Sequence, residues 1–265
     1  MDEPSLIGIR RRIDRAQSKL DDLNAEVGPW IKDESNELRG EVHPDTGKFV
    51  GYIDLRGEPP IDWSIEVGEI VHNLRASLDS LVWLMVPRRR RTIRTCFPIH
   101  TDPDEFACAV TLPARKRRPG PLTGLDPASA PFAFIEAAQP YNGPHGAEYH
   151  PLFIIRELSN EDKHRTILAR TIGIPTSDGK PVINFFTNDL EVIRESVWLK
   201  VDGPVIQGAP VMGGDVQITG KNPQMKVEAG LPLSVAFGKP MLVVSGLAQV
   251  VQETRRLIEA IAKIA

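Results

Sequence analysis

DWSIEVGEIVHNLRASLDSLVWLMV, residues Asp62 to Val86, is the stretch on which the fold turns. At 100° per residue, Trp63, Val67, Ile70, Val71, Leu74, Leu78, Leu81 and Met85 fall within about 80° of one another. That is the core face of a helix, and Pro87 ends it because its ring cannot continue the backbone ladder. Upstream, Leu6, Ile9, Ile13, Leu20, Leu23 and Val27 repeat near the same period, so a second helix is expected over about residues 5–31. Between the two helices, His43-Pro-Asp-Thr-Gly47 is turn chemistry flanked by Leu38–Val42 and the alternating Phe49–Leu55. Two short strands are expected to meet there.

Downstream of Pro87 the periodicity is lost until Asp102-Pro103, an N-cap followed by proline at the first helical position, opens a short helix through Phe106. Asp126-Pro127 repeats that start signal before Phe132, Phe134 and Ile135, and Pro140 closes the segment. His150-Pro151 opens another helix with Leu152, Ile155 and Leu158 as its apolar stripe. After about Arg165 the texture changes. Leu168–Ile174, Val182–Thr187, Ser196–Val201, Asp215–Thr219, Met225–Glu228 and Leu233–Phe237 are short strand-like runs separated by Gly, Pro and Asn turns. Pro240 then starts a terminal helix carrying Leu242, Leu247, Val250, Val251, Leu257, Ile258 and Ile261. This order predicts an α+β fold. A helical bundle (about 5–31, 62–86, 126–165 and 240–264) is interrupted, before its last helix, by an antiparallel β-sandwich or barrel module. The expected domains are 1–166 with 239–265, carrying a small hairpin near 38–56, and a β-module at 167–238.

The chain has 265 residues, 25% charged and 41% hydrophobic, which excludes wholesale disorder. Two cysteines, Cys96 and Cys108, exclude a disulfide scaffold and a four-cysteine zinc site, and read as ordinary buried thiols. The amino terminus lacks the basic flank and apolar stretch of a secretory signal, and no apolar run approaches the ~20 residues of a membrane span. The expectation is a cytoplasmic protein without a membrane or a cofactor.

Three groups of residues could carry chemistry. On the Asp62–Val86 helix, His72, Arg75 and Asp79 are spaced three and four apart and form one polar stripe. Arg75 lies about 80° from the centre of the apolar face. At that edge of burial it needs a carboxylate, phosphate or carbonyl partner, and Asp79 at i+4 is the nearest. Ser159-Asn-Glu-Asp-Lys-His-Arg165 follows the Leu152 stripe, and within it Asp162, His164 and Arg165 pair an imidazole that titrates near neutrality with charged neighbours. The same residues also suit a helix C-terminus, whose dipole favours cations, or an S-x-x-D cap. The third group is electrostatic. Arg88, Arg89, Arg90, Arg91, Arg94, Arg115, Lys116, Arg117 and Arg118 face only Asp102, Asp104 and Glu105 within residues 87–118. This stretch is therefore +6 in a chain of net charge −3, and clustered arginines attract phosphate. Aromatic interleaving is poor there, with Phe97 and Phe106 alone. His145 and His150 sit in a Gly/Pro loop without metal-ligand spacing, and Gly213-Gly214 follows no strand–helix pattern that cradles a phosphate.

Four strings occur in order over roughly residues 60–170: Val71-His-Asn-Leu-Arg-Ala-Ser-Leu-Asp79, Phe97-Pro-Ile99, Gln139-Pro-Tyr141 and Leu158-Ser-Asn-Glu-Asp-Lys-His-Arg165. Together they resemble a pattern shared by uncharacterised bacterial and phage proteins. More distantly, a helix with Arg-x-x-x-Asp and a later helix ending in a histidine cluster resemble HEPN-type helical domains. That superfamily includes metal-independent ribonucleases whose helical Arg and His, four to six residues apart, hold the phosphate and handle protons. This sequence departs from that signature: seven residues separate Arg156 from His164, and Arg94 and His100 have the nominal spacing but enclose Phe97-Pro98-Ile99, which is no helix interior.

The resulting expectation is a HEPN-like protein that binds RNA or another phosphate-bearing ligand through the two arginine clusters. If it is a ribonuclease, His164 is the general acid/base, Arg75 or Arg165 stabilises charge, and Asp79, Asp162 and His72 complete the site. The alternative is a non-catalytic interaction or regulatory module whose β-part takes a protein partner, with Arg75, Asp79, Asp162 and Arg165 as a structural polar network. A homodimer is compatible with either.

Overall fold

The structure, a computed structural model, describes residues 3–32, 37–55, 57–111, 120–173, 183–200, 203–229, 233–239 and 242–264. It is α+β. Among the described residues it has six α-helices: α1 (Glu3–Ile31), α2 (Ile61–Met85), α3 (Pro103–Thr111), α4 (Ala130–Ala137), α5 (Pro151–His164) and α6 (Val244–Ile264). The strands are β1 (Glu37–His43), β2 (Lys48–Asp54), β3 (Ala169–Gly173), β4 (Ile183–Asn188), β5 (Leu190–Val192), β6 (Trp198–Leu199), β7 (Gly203–Pro204), β8 (Pro210–Ile218), β9 (Gln224–Ala229), β10 (Leu233–Phe237) and β11 (Leu242–Val243). No helix among the described residues is long and apolar enough to cross a membrane.

The chain divides into a helical unit (1–23, 62–168, 237–265) and a β-unit (24–61, 169–236). In the helical unit, α2 buries Trp63, Val67, Ile70, Val71, Leu74, Leu78 and Leu81, while Met85 at its end is half-buried. Leu6, Ile9, Ile13, Ala16, Leu20 and Leu23 of α1 and Leu247, Val250, Val251, Leu257, Ile258 and Ile261 of α6 are buried as well. Two ion pairs tie α1 to α6: Arg10 to Glu259, whose carboxyl is held below its ordinary range by that guanidinium, and Arg255 to Asp14. Asp102 opens α3 by accepting from the amides of Asp104 and Glu105. The start read at Asp126 falls three residues early. Asp126 caps a separate turn through the Ala128 amide, and Ser129 caps α4 through Phe132. The last helix begins at Val244, after a turn at Gly238 and Lys239, instead of at Pro240, which lies outside the described residues.

In the β-unit the hairpin of β1 and β2 runs in register from Glu37↔Asp54 to His43↔Lys48, with Gly47 at φ +62° closing its turn. The sequence order places this hairpin with the helical part. Instead β2 pairs antiparallel with β8 (Lys48↔Asp215 to Tyr52↔Pro210), giving the order β1–β2–β8–β5 with β6 also on β8. β4 pairs with β9, and β10–β3–β7 form a third sheet. Phe49, Leu190, Met212, Val216 and Val227 form an apolar core in this unit. Gly213 and Gly214 have a packing role: a Cβ at either would lie 2.8–2.9 Å from the Trp198 ring or the Phe49 ring.

Candidate functional site

The site lies in the helical unit, and a segment without secondary structure organises it. Phe97, Pro98 and Ile99 are buried although they belong to no helix, so their backbone groups need partners from side chains. Asp79 accepts from the Phe97 amide at 2.9 Å, and Arg75 donates to the Phe97 carbonyl at 2.8 Å. Arg75 and Asp79 also pair directly, Nε to Oδ2 at 3.2 Å and Nη2 to Oδ1 at 3.1 Å. Gln139 is fully buried and clamps the other end of the segment. It donates to the carbonyls of Pro98 (3.0 Å) and Ile135 (2.9 Å) and accepts from the His100 amide (2.9 Å). Arg156 reaches the Ile99 carbonyl at 3.5 Å while lying over the Phe153 ring.

Beside this clamp is a cavity of about 350 Å³ lined by Arg75, Cys96, Phe97, Pro98, Ile99, His100, Pro121, Arg156, Ser159, Asn160 and Lys163. All four sequence strings contribute to it or to its clamp. Three of the lining groups are cationic and none is a carboxylate. Lys163 forms no ion pair, and the side chains of Ser159 and Asn160 no hydrogen bond, among the described residues. Burial lowers the His100 pKa below its ordinary value against the pull of Glu105, whose carboxylate is 3.7 Å away. Burial also raises the Cys96 thiol, with the Asp79 carboxylate adding to it, so Cys96 stays protonated. Cys96 is half-buried and Cys108 exposed, so the expectation of two buried thiols fails at Cys108 and holds only in part at Cys96.

The six residues expected to gather at one catalytic centre do not gather. Arg75 and Asp79 belong to the clamp. His72 and Asp162 line a separate cavity of about 530 Å³ with Arg15, Lys19, Glu69 and Asn73. His164 and Arg165 are exposed and line neither cavity, and Arg165 lies 3.9 Å from Glu161. The reason is helical phase. Arg156, Ser159, Asn160 and Lys163 are spaced three and four apart and share one face of α5, whereas Asp162 and His164 are turned about 100° to either side of Lys163. Glu161, inside the polar string, is buried and structural: it accepts from the Lys239 amide at 3.0 Å. His100 and Arg156, which the Arg–His spacing pairs with Arg94 and His164, line the cavity without those partners.

Of the basic residues, Arg88, Arg89 and Arg90 form a single exposed 3-10 turn directly after α2, and Arg94 is exposed beyond it. None of these four makes an ion pair among the described residues. Arg91 is engaged, donating to the Val86 carbonyl at 3.0 Å and lying 5.3 Å over the Trp83 ring. Arg115, Lys116, Arg117 and Arg118 lie outside the described residues. Among the described residues no group of three or more His, Cys, Asp or Glu side chains is placed to hold a metal ion. Comparison with protein-family models, curated proteins and solved structures finds no match to this chain.

Two histidines set an acid limit on the helical unit. His150 caps α5 by accepting from the Leu152 amide, and burial lowers its pKa as it does that of His100. Both groups are harder to protonate folded than unfolded. The unfolded chain therefore binds more protons once pH falls below about 6.5, and stability present above that value is lost toward the folded pKa values. The melting temperature should fall between about pH 7.5 and 5, and more shallowly in His100→Gln/His150→Asn, where asparagine keeps a cap. Equal slopes for both proteins would contradict this assignment.

Proposed function

We propose that the helical unit binds RNA. The cavity between Arg75, Arg156 and Lys163 takes a backbone phosphate, and the exposed arginines of the 88–94 turn grip neighbouring phosphates. The observation that carries the reading is a cavity lined by three cations from two helices with no carboxylate in its lining. A bound phosphate would supply a counter-charge to Lys163, accept from the donors that Arg75 and Arg156 keep beyond their pairing with Asp79 and Glu157, and take hydrogen bonds from Ser159 and Asn160. The resemblance to HEPN-type domains supports the same ligand class. Binding is favoured over cleavage because His164, the expected acid/base, is exposed and away from the cavity, whereas His100 is held toward its neutral form.

The test is a fluorescence-anisotropy titration of a labelled RNA at several salt concentrations. Binding should weaken steeply with salt. Lys163→Gln, which removes one cation from the phosphate, should cost about five-fold at ~0.1 M salt and reduce the log–log slope by about 0.7. Absent or salt-insensitive binding overturns the reading.

A further inference from the structure

Trp83 precedes the arginine turn on α2 and lies off the buried stripe of that helix: 41% of it is exposed while Leu81 and Val82 beside it are fully buried. The Arg91 guanidinium stacks at 5.3 Å over its ring, and Arg91 is held in place by its bond to the Val86 carbonyl. One aromatic surface is thereby oriented next to Arg88, Arg89 and Arg90, all exposed and without ion pairs among the described residues. Ile61 and Ile65 of the same helix are exposed too, but Trp83 is the aromatic one of the three and carries a cation over its ring, next to the arginine turn.

We propose that Trp83 is a stacking platform for an unpaired base, so that the RNA bound by the helical unit is single-stranded. This inference rests on the RNA-binding reading and specifies its substrate class. A planar ring stiffened by a cation offers a π-face to any base, and the arginines around it reach the phosphates on either side of that base. Bases in a duplex have both faces covered by their neighbours and cannot use such a platform. The same turn exposes Ile93 fully, but one aliphatic and one aromatic side chain among four free arginines offer charge and little apolar area. A membrane surface is accordingly the disfavoured occupant.

The experiment compares wild type, Trp83→Ala and Trp83→Phe. The probes are an oligouridine of about 12 nucleotides, a duplex RNA of the same length and anionic phospholipid vesicles. Trp83→Ala should weaken oligouridine binding about ten-fold and leave duplex binding within about two-fold, with Trp83→Phe intermediate. Stacking should also quench tryptophan fluorescence in wild type, and that quench should be lost in Trp83→Phe although Trp30, Trp63 and Trp198 remain. Unchanged oligouridine affinity, or equal weakening toward strand and duplex, overturns the inference while leaving RNA binding standing. Vesicle binding that depends on Trp83, with RNA binding unaltered, overturns it in favour of a membrane surface. Failure of wild type to bind either RNA overturns the underlying reading and this inference with it.

Discussion

Replacing Gln139 by leucine should lower the melting temperature of the helical unit by about 6–12 °C. The side chain is fully buried and satisfies three backbone groups at once: the Pro98 and Ile135 carbonyls and the His100 amide. Leucine fills nearly the same space but pairs with none of them. Each orphaned buried group costs about 1–3 kcal/mol, and partial relaxation of the 97–100 segment brings the total to about 3 kcal/mol. The substitution also loosens the wall that carries His100 and residues 97–99 into the cavity, so phosphate affinity should fall with stability. Thermal unfolding followed by helical circular dichroism gives the shift, and hydrogen exchange at the His100 amide reports the loosening of the segment. A shift below about 1 °C with His100 still protected would show that the segment is held by something other than Gln139.

The helices are legible because their apolar residues repeat cleanly. Seven of the eight residues on the apolar face of α2 are buried, and the Asp102 and His150 starts both act as caps. The Asp126 start misleads because Asp-Pro opens turns as readily as helices, and Ser129, three residues on, offers a second cap. The hairpin is visible, but its partner is not. Pairing of β2 with β8 joins residues 158 to 167 positions apart, and strand pairing leaves no local periodicity that names the partner. The short β5 and β7 are invisible in the sequence because three and two residues carry no pattern.

The candidate site is legible in its residues and not in its geometry. Arg75 and Asp79 form the i,i+4 pair that the sequence offers, with the Phe97 backbone as an added partner no spacing rule could supply. The polar string 159–165 reads as one cluster, yet a helix distributes seven consecutive residues around its whole circumference. Phase separates Ser159, Asn160 and Lys163 from Asp162 and His164 and sends Glu161 inward. Trp83 does not stand out as an aromatic partner of the basic stretch because it precedes Pro87. Only the fold returns Arg91 to its ring.

Removing charge from the arginine turn should have the largest effect on binding. Arg88, Arg89, Arg90 and Arg94 are exposed and carry no structural hydrogen bonds through their side chains among the described residues, so exchange for glutamine should leave folding intact. Each phosphate of a single strand that is no longer neutralised takes about 0.7 off the slope of log affinity against log salt. Four such phosphates therefore correspond to a slope smaller by about 3 and to an affinity about 600-fold weaker at ~0.1 M salt. The Arg75–Asp79 clamp and the cavity beside it are untouched by these substitutions, so any residual binding should still respond to Lys163→Gln. The decisive measurement is the anisotropy titration of labelled oligouridine across salt for wild type and this four-arginine variant. Steep salt dependence in wild type, with the variant weaker by nearly three decades and its melting temperature unchanged, is the predicted result. Wild type and variant binding with the same affinity and slope, or neither binding at all, would contradict it.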